Sequence, residues 1–227
     1  MAALSAETLT IAVGDTHQVS ALLQIPARAT ACFVLAHGAG AGMRHAFLEA
    51  AATGLAERGI GTLRYQFPYM ESGSKRPDPP ALCHATVRAA VAEAARHAPA
   101  LPLIAGGKSF GGRMTSQAQA VAPLPGVVGL AFIGFPLHPP KRPSDERAEH
   151  LSKVRVPLLF LQGTRDEFAE PQLLEPLIAR LADRATLKPF PDADHSFHVR
   201  ARSGRTDAQT FNELLDELAG WIKTLSP

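Results

Sequence analysis

An α/β fold built on a mostly parallel sheet is what this sequence predicts, on three observations. After residue 31, short apolar runs alternate with segments of helical period, as strand–helix crossovers do. Runs such as Cys32–Leu35 are apolar throughout rather than alternating, as strands covered on both faces are. The run Leu103–Gly106 leads into Gly107-Lys108-Ser109-Phe110-Gly111, which reads as a strand turning sharply into a helix with a serine at the apex. These features imply a twisted sheet of about seven to eight strands with helices on both faces and right-handed crossovers. The length of 227 residues suits one domain, 1–227, with a sizeable core.

The elements follow in order. Thr8–Val13 and Val19–Ile25 read as strands joined by a Gly14-Asp15 turn, an antiparallel opening hairpin. Cys32–Leu35 is the third strand and ends in the glycine-rich loop at His37. Arg44–Arg58 reads as a helix with Phe47, Ala51 and Leu55 on one face, and Ile60–Tyr65 as the next strand. The prolines of Gln66–Pro80 make it a loop without a strand, and Asp78 followed by Pro79 is a helix start running to about His97. Beyond the serine turn, Phe110–Ala120 is a helix and Val127–Phe135 a strand. A short polar helix is expected from Pro143 and Ser144 to just before Val154. Pro157–Leu161 and Thr186–Phe190 are strands flanking the helix Pro171–Ala182. Thr206 with Gln209 forms a capping box for a last helix whose apolar stripe runs from Phe211 to Leu225.

Composition narrows the function classes. A formal net charge of +2 gives no reason to expect nucleic acid or a membrane surface as partner. No run approaches the roughly 18 apolar residues of a membrane span. Met1–Thr10 shows neither a basic segment nor an apolar core, so no signal peptide is predicted and the expected location is cytoplasmic. Cys32 and Cys83 sit in apolar and helical runs, as reduced core thiols do.

Two nucleotide-binding readings of the glycine-rich stretches fail. Gly107-Lys108-Ser109 lacks the glycine of a phosphate loop five positions earlier, where Pro102 stands. Gly38-Ala39-Gly40-Ala41-Gly42 carries Met43 where the third glycine of a dinucleotide loop is needed. No cofactor is therefore expected. A metal pair at His195 and His198 finds no third ligand at suitable spacing, so no metal is expected either.

A serine hydroxyl is a poor nucleophile at neutral pH, so Ser109 needs a base, an acid to orient it and backbone donors for the developing oxyanion. On a parallel sheet these belong at the C-terminal ends of later strands, acid before histidine. Asp166 follows the strand Pro157–Leu161, with Glu167 beside it as the alternative acid. His195 follows Thr186–Phe190, with His198 as the alternative base. The backbone N–H groups of Phe110 and of Ala39, or alternatively Gly40, are the expected oxyanion donors. His37 is expected to brace its loop. Lys108 either braces a neighbouring loop or acid or points to solvent.

This constellation resembles the α/β-hydrolase superfamily from about Thr8 to Leu225, and within it the small dienelactone-hydrolase-like proteins. The runs Gly106–Arg113 and Arg64–Tyr69 are similar to a subgroup that also supplies a hydrolase-like domain to an animal chromatin-complex subunit. Dienelactone hydrolases use a cysteine where this chain has Ser109, so their substrate is not carried over. The resemblance implies a serine hydrolase for small acyl esters or thioesters, with a catalytically silent binding module as the alternative. With only about 20 residues between Phe135 and Pro157, little or no lid is expected. Phe67, Tyr69 and Met70, in the loop after a strand, are expected to line an apolar acyl pocket.

Overall fold

The computed structural model describes residues 5–225; the first four residues, part of the stretch read for a signal peptide, lie outside them. The hairpin β1 (Glu7–Val13) and β2 (His17–Gln24) opens the chain, and β3 (Ala31–Ala36), β4 (Ile60–Tyr65), β5 (Leu103–Lys108), β6 (Val127–Ile133), β7 (Leu158–Gly163) and β8 (Ala185–Phe190) follow. All eight form one sheet in the order β1-β2-β4-β3-β5-β6-β7-β8. β2 pairs antiparallel with β1 and β4, and every other pairing is parallel.

The uniformly apolar strands are explained by the packing on both faces. On β3, Cys32 and Val34 enter a core with Val87 and Ala90 of α3 (Pro80–His97), Met114 of α4 (Phe110–Val121) and Leu174 of α5 (Pro171–Leu181). Phe33 and Leu35 enter a second core with Leu48 and Leu55 of α1 (Ala46–Glu57) and Leu214 and Leu218 of α6 (Asp207–Thr224). Each residue that alternates sides along the strand thus finds an apolar partner. The capping box of α6 forms as expected, Thr206 accepting from the Gln209 N–H while Gln209 accepts from the Thr206 N–H.

Three expectations are corrected. The loop after β4 contains one helical turn, α2 (Pro68–Glu71), begun by Pro68 at its first position. Asp78 does not cap α3: Pro79 stands at the cap and Pro80 opens the helix, while the Asp78 carboxylate accepts the Tyr69 N–H at 2.9 Å. The polar helix after Ser144 is a 3-10 segment, Glu146–Lys153, and it is the only helical structure among residues 134–157 between β6 and β7. That 3-10 segment packs against α4 and α5.

Candidate active site

Parallel pairing aligns the C-terminal ends of β3, β5, β7 and β8 along one edge, and the candidate residues leave the sheet there. Ser109 lies between β5 and α4 with φ 51° and ψ −116°, a conformation that costs a non-glycine residue about 1–3 kcal/mol and is held only by its surroundings. Those surroundings include the Ser109 N–H donating to the Ile133 carbonyl at 3.1 Å. The flanking glycines are required by the neighbouring strand rather than by the serine. A Cβ on Gly107 would sit 2.3 Å from the Ala36 oxygen, and one on Gly111 2.5 Å from the His37 oxygen. The elbow is wedged against the end of β3 so tightly that only hydrogen fits.

The structure brings Ser109, His195 and Asp166 together. The Ser109 Oγ lies 2.8 Å from His195 Nε2, and His195 Nδ1 lies 2.7 Å from Asp166 Oδ2. Asp166 is held by two further donors, the Gln162 side-chain amide to Oδ2 at 2.6 Å and the Phe168 N–H to Oδ1 at 2.9 Å. Gln162 is fixed in turn by accepting the Phe135 N–H at 2.8 Å. A carboxylate holding two N–H donors is an acceptor, so Nδ1 of His195 carries the hydrogen toward it and Nε2 presents a lone pair to the serine. The Asp166 side chain is fully buried, whereas that of His195 is 20 % exposed. The His195 ring is therefore reachable from the surface and the Asp166 carboxylate is not. The alternative residues lie elsewhere: Glu167 is exposed, and His198 pairs with Asp207 at 2.8 Å on the surface.

The loop after β3 supplies the other wall. Buried His37 donates through Nδ1 to the Gly38 carbonyl at 2.7 Å and accepts the Phe67 N–H through Nε2 at 3.1 Å. Burial pushes its pKa down to about 4, so it braces the loop as a neutral ring. The Gly40 N–H is taken by the Tyr69 hydroxyl at 3.2 Å and that of Ala41 by the Gly38 carbonyl at 3.2 Å. Among the described residues no acceptor takes the Ala39 N–H. Phe110 opens α4, where an N–H has no acceptor within the helix. Of the loop's two candidates, Ala39 is therefore the one with a donor to spare.

A cavity of about 370 Å³ opens over Ser109, walled by Gly38, Ala39, Phe47, Lys108, Phe168 and His195 among others. Phe67, Tyr69 and Met70 are not among its walls, a correction to their expected role. Phe67 and Tyr69 are buried behind the His37 loop, their rings 5.5 and 6.4 Å from that of Phe110. Met70 packs with them against the same core. In their place stand two residues that sequence reasoning missed: Phe168, whose ring centroid is 4.4 Å from that of His195, and Phe47 of α1. Gln162 was missed as well, although a glutamine near the end of an otherwise apolar strand was a usable signal.

Lys108 braces the histidine loop. Its Nζ donates to the His195 carbonyl at 2.6 Å, tying the residue before Ser109 to the loop that carries His195. Burial pulls its pKa down to about 8, against the pull of the Asp166 and Asp194 carboxylates that favour the charge.

Known proteins share this architecture. A serine hydrolase without lid from Xanthomonas campestris aligns at TM-score 0.73 and 22 % identity, over 96 % of this chain and 95 % of that one. A dienelactone hydrolase from Anabaena variabilis aligns at TM-score 0.77 and 20 % identity, over 98 % and 99 %. The esterase domain of a Rhodothermus marinus protein aligns at 0.73 and 17 %, over 98 % and 100 %. The alpha/beta hydrolase domain family matches residues 29–223, and family and fold together support a hydrolytic function. The chain belongs to the alpha/beta hydrolase domain family.

Proposed function

We propose that the protein is a serine hydrolase that cleaves small acyl esters or thioesters through an acyl-enzyme. The observation that carries this reading is the unbroken hydrogen-bond chain from Ser109 through His195 to the buried Asp166, standing on a strained turn at an open cavity. Ser109 attacks the substrate carbonyl carbon while His195 Nε2 takes its proton, and Asp166 holds the resulting imidazolium. The carbonyl oxygen gains charge and turns toward the N–H groups of Phe110 and Ala39, each such donor being worth about 3 kcal/mol in the transition state. The tetrahedral adduct collapses as His195 hands its proton to the leaving oxygen or sulfur. A water then repeats the sequence, losing a proton to His195 and displacing Ser109 from the acyl carbon.

Hydrolysis of short p-nitrophenyl esters tests the reading. The expected result is turnover that Ser109→Ala lowers by about 10⁴-fold or more. Turnover that survives in a folded Ser109→Ala protein, or no turnover of any ester or thioester by the wild type, contradicts it.

A further inference from the structure

The cavity over Ser109 does not end at its own walls. Phe47 and Ser196 also line a second cavity, of about 420 Å³, which runs between α1 and the first turn of α6. Three rings dominate it: Phe47 and Phe211 meet edge to face at 5.2 Å, and Phe197 stacks at 6.3 Å on Phe47. Of the polar groups that line it, His198 and Asp207 bond to one another, and Asp207 also accepts the Val199 N–H. A third cavity of different character shares Phe168, His195 and Ser196 with the first and is otherwise walled by Arg165, Glu167 and Asp194.

We propose that the Phe47–Phe197–Phe211 groove is the acyl subsite of this enzyme and that its substrates carry a flexible apolar acyl chain; this rests on the serine-hydrolase reading above. Geometry selects the acyl part over the leaving group. The leaving group must lie against His195 Nε2 to receive its proton, beside the Phe168 ring, and His195 and Phe168 also line the charged cavity, which offers it room. The carbonyl oxygen lies at the Ala39 and Phe110 donors, so the remaining substituent runs past the start of α1, where Leu48 and then Phe47 lead into the groove. A chain laid there exchanges water for aromatic surface, which raises kcat/KM by about two- to fourfold for each methylene that enters.

Two ester series test this. One holds the p-nitrophenyl leaving group and lengthens the acyl chain from acetyl to octanoyl; the other holds acetyl and lengthens the alcohol. The variants are Phe211→Ala, which removes a wall, and Ala208→Trp, which fills the groove from an exposed position in the first turn of α6. Labelling of Ser109 by a small phosphonate is measured in each protein. The expected result is an octanoyl-to-acetyl ratio of kcat/KM that rises in the wild type and falls by about tenfold or more in Ala208→Trp, with the alcohol series unmoved. A wild-type ratio that stays flat, an acyl ratio unchanged in both labelled variants, or an alcohol series that moves instead, overturns the subsite while leaving the serine reading intact. Wild-type protein in which Ser109 takes no label overturns both.

Discussion

Two of the described serines stand within hydrogen-bonding reach of a histidine, and the distances are nearly the same. Ser109 Oγ is 2.8 Å from His195 Nε2, and Ser116 Oγ, two turns further along α4, is 2.7 Å from His150 Nε2. Everything around the two contacts differs. Ser109 occupies a left-handed turn at an open cavity, whereas Ser116 is a buried helical residue whose hydroxyl also bonds back to the Arg113 carbonyl at 2.9 Å. Behind His195 stands a buried carboxylate; behind His150 stands the Arg147 backbone. Burial, with the nearby charge of Arg113 adding to it, pulls the His150 pKa down to about 4. A base that weak takes a serine proton poorly at neutral pH. A short serine–histidine distance is thus a packing fact, and the carboxylate, the turn and the open cavity are what set the Ser109 pair apart and support the proposed chemistry there.

The largest expected effect separates the two serines outright. Ser109→Ala should abolish ester turnover, while Ser116→Ala should leave it unchanged and lower stability by about 1 kcal/mol in a denaturant titration. Next comes Asp166→Asn, which should lower kcat by roughly a thousandfold or more with little change in KM, because the amide turns its NH2 toward Nδ1 and upsets the ring's tautomer. Steady-state kinetics on a p-nitrophenyl ester check both parameters.

A smaller effect belongs to Lys108. Lys108→Met should cut kcat/KM by about tenfold through a loosened His195 loop. The wild type should also lose part of its rate as pH rises through about 8, where the ammonium loses its charge and its bond to the His195 carbonyl weakens. That alkaline step should be missing from the variant's pH–rate profile. The smallest effect on catalysis comes from His150, whose removal should register in stability alone. Its pKa falls from 6.5 unfolded to about 4 folded, so between those values the unfolded chain binds more protons and stability drops as pH falls. His150→Phe should flatten that acid limb of the urea midpoint against pH between about 6.5 and 4 while leaving turnover at pH 7.5 untouched. His37, shifted the same way, keeps part of the slope in the variant.

The comparison also shows what the sequence could disclose. Ser109, Asp166 and His195 were legible because parallel strands end along one edge, so a residue's place after its strand fixes where it emerges. Ile60–Tyr65 was legible residue by residue, since Gly59 ends one element and Gln66 begins a loop. Phe67 and Tyr69 were misplaced because an apolar loop after a strand reads alike whether it faces a cavity or a core. Phe47 failed in the opposite direction. It shares a helical stripe with Ala51 and Leu55, but it lies at the end of α1 that overhangs Ser109, and periodicity assigns a face without saying what lies beneath each turn of it. Ser116–His150 had no signature at all, since its partners come from α4 and from a 3-10 segment whose docking no local pattern records.

On this reading Ser109 is a nucleophile and Ser116, with an equally short bond to a histidine, is packing. Incubation of the wild-type protein with a fluorophosphonate, followed by peptide mass mapping, tests this most directly. One adduct per chain on the peptide bearing Ser109, absent from Asp166→Asn protein after the same brief exposure, is the predicted result. An adduct on Ser116, or a folded protein that takes none, would contradict it.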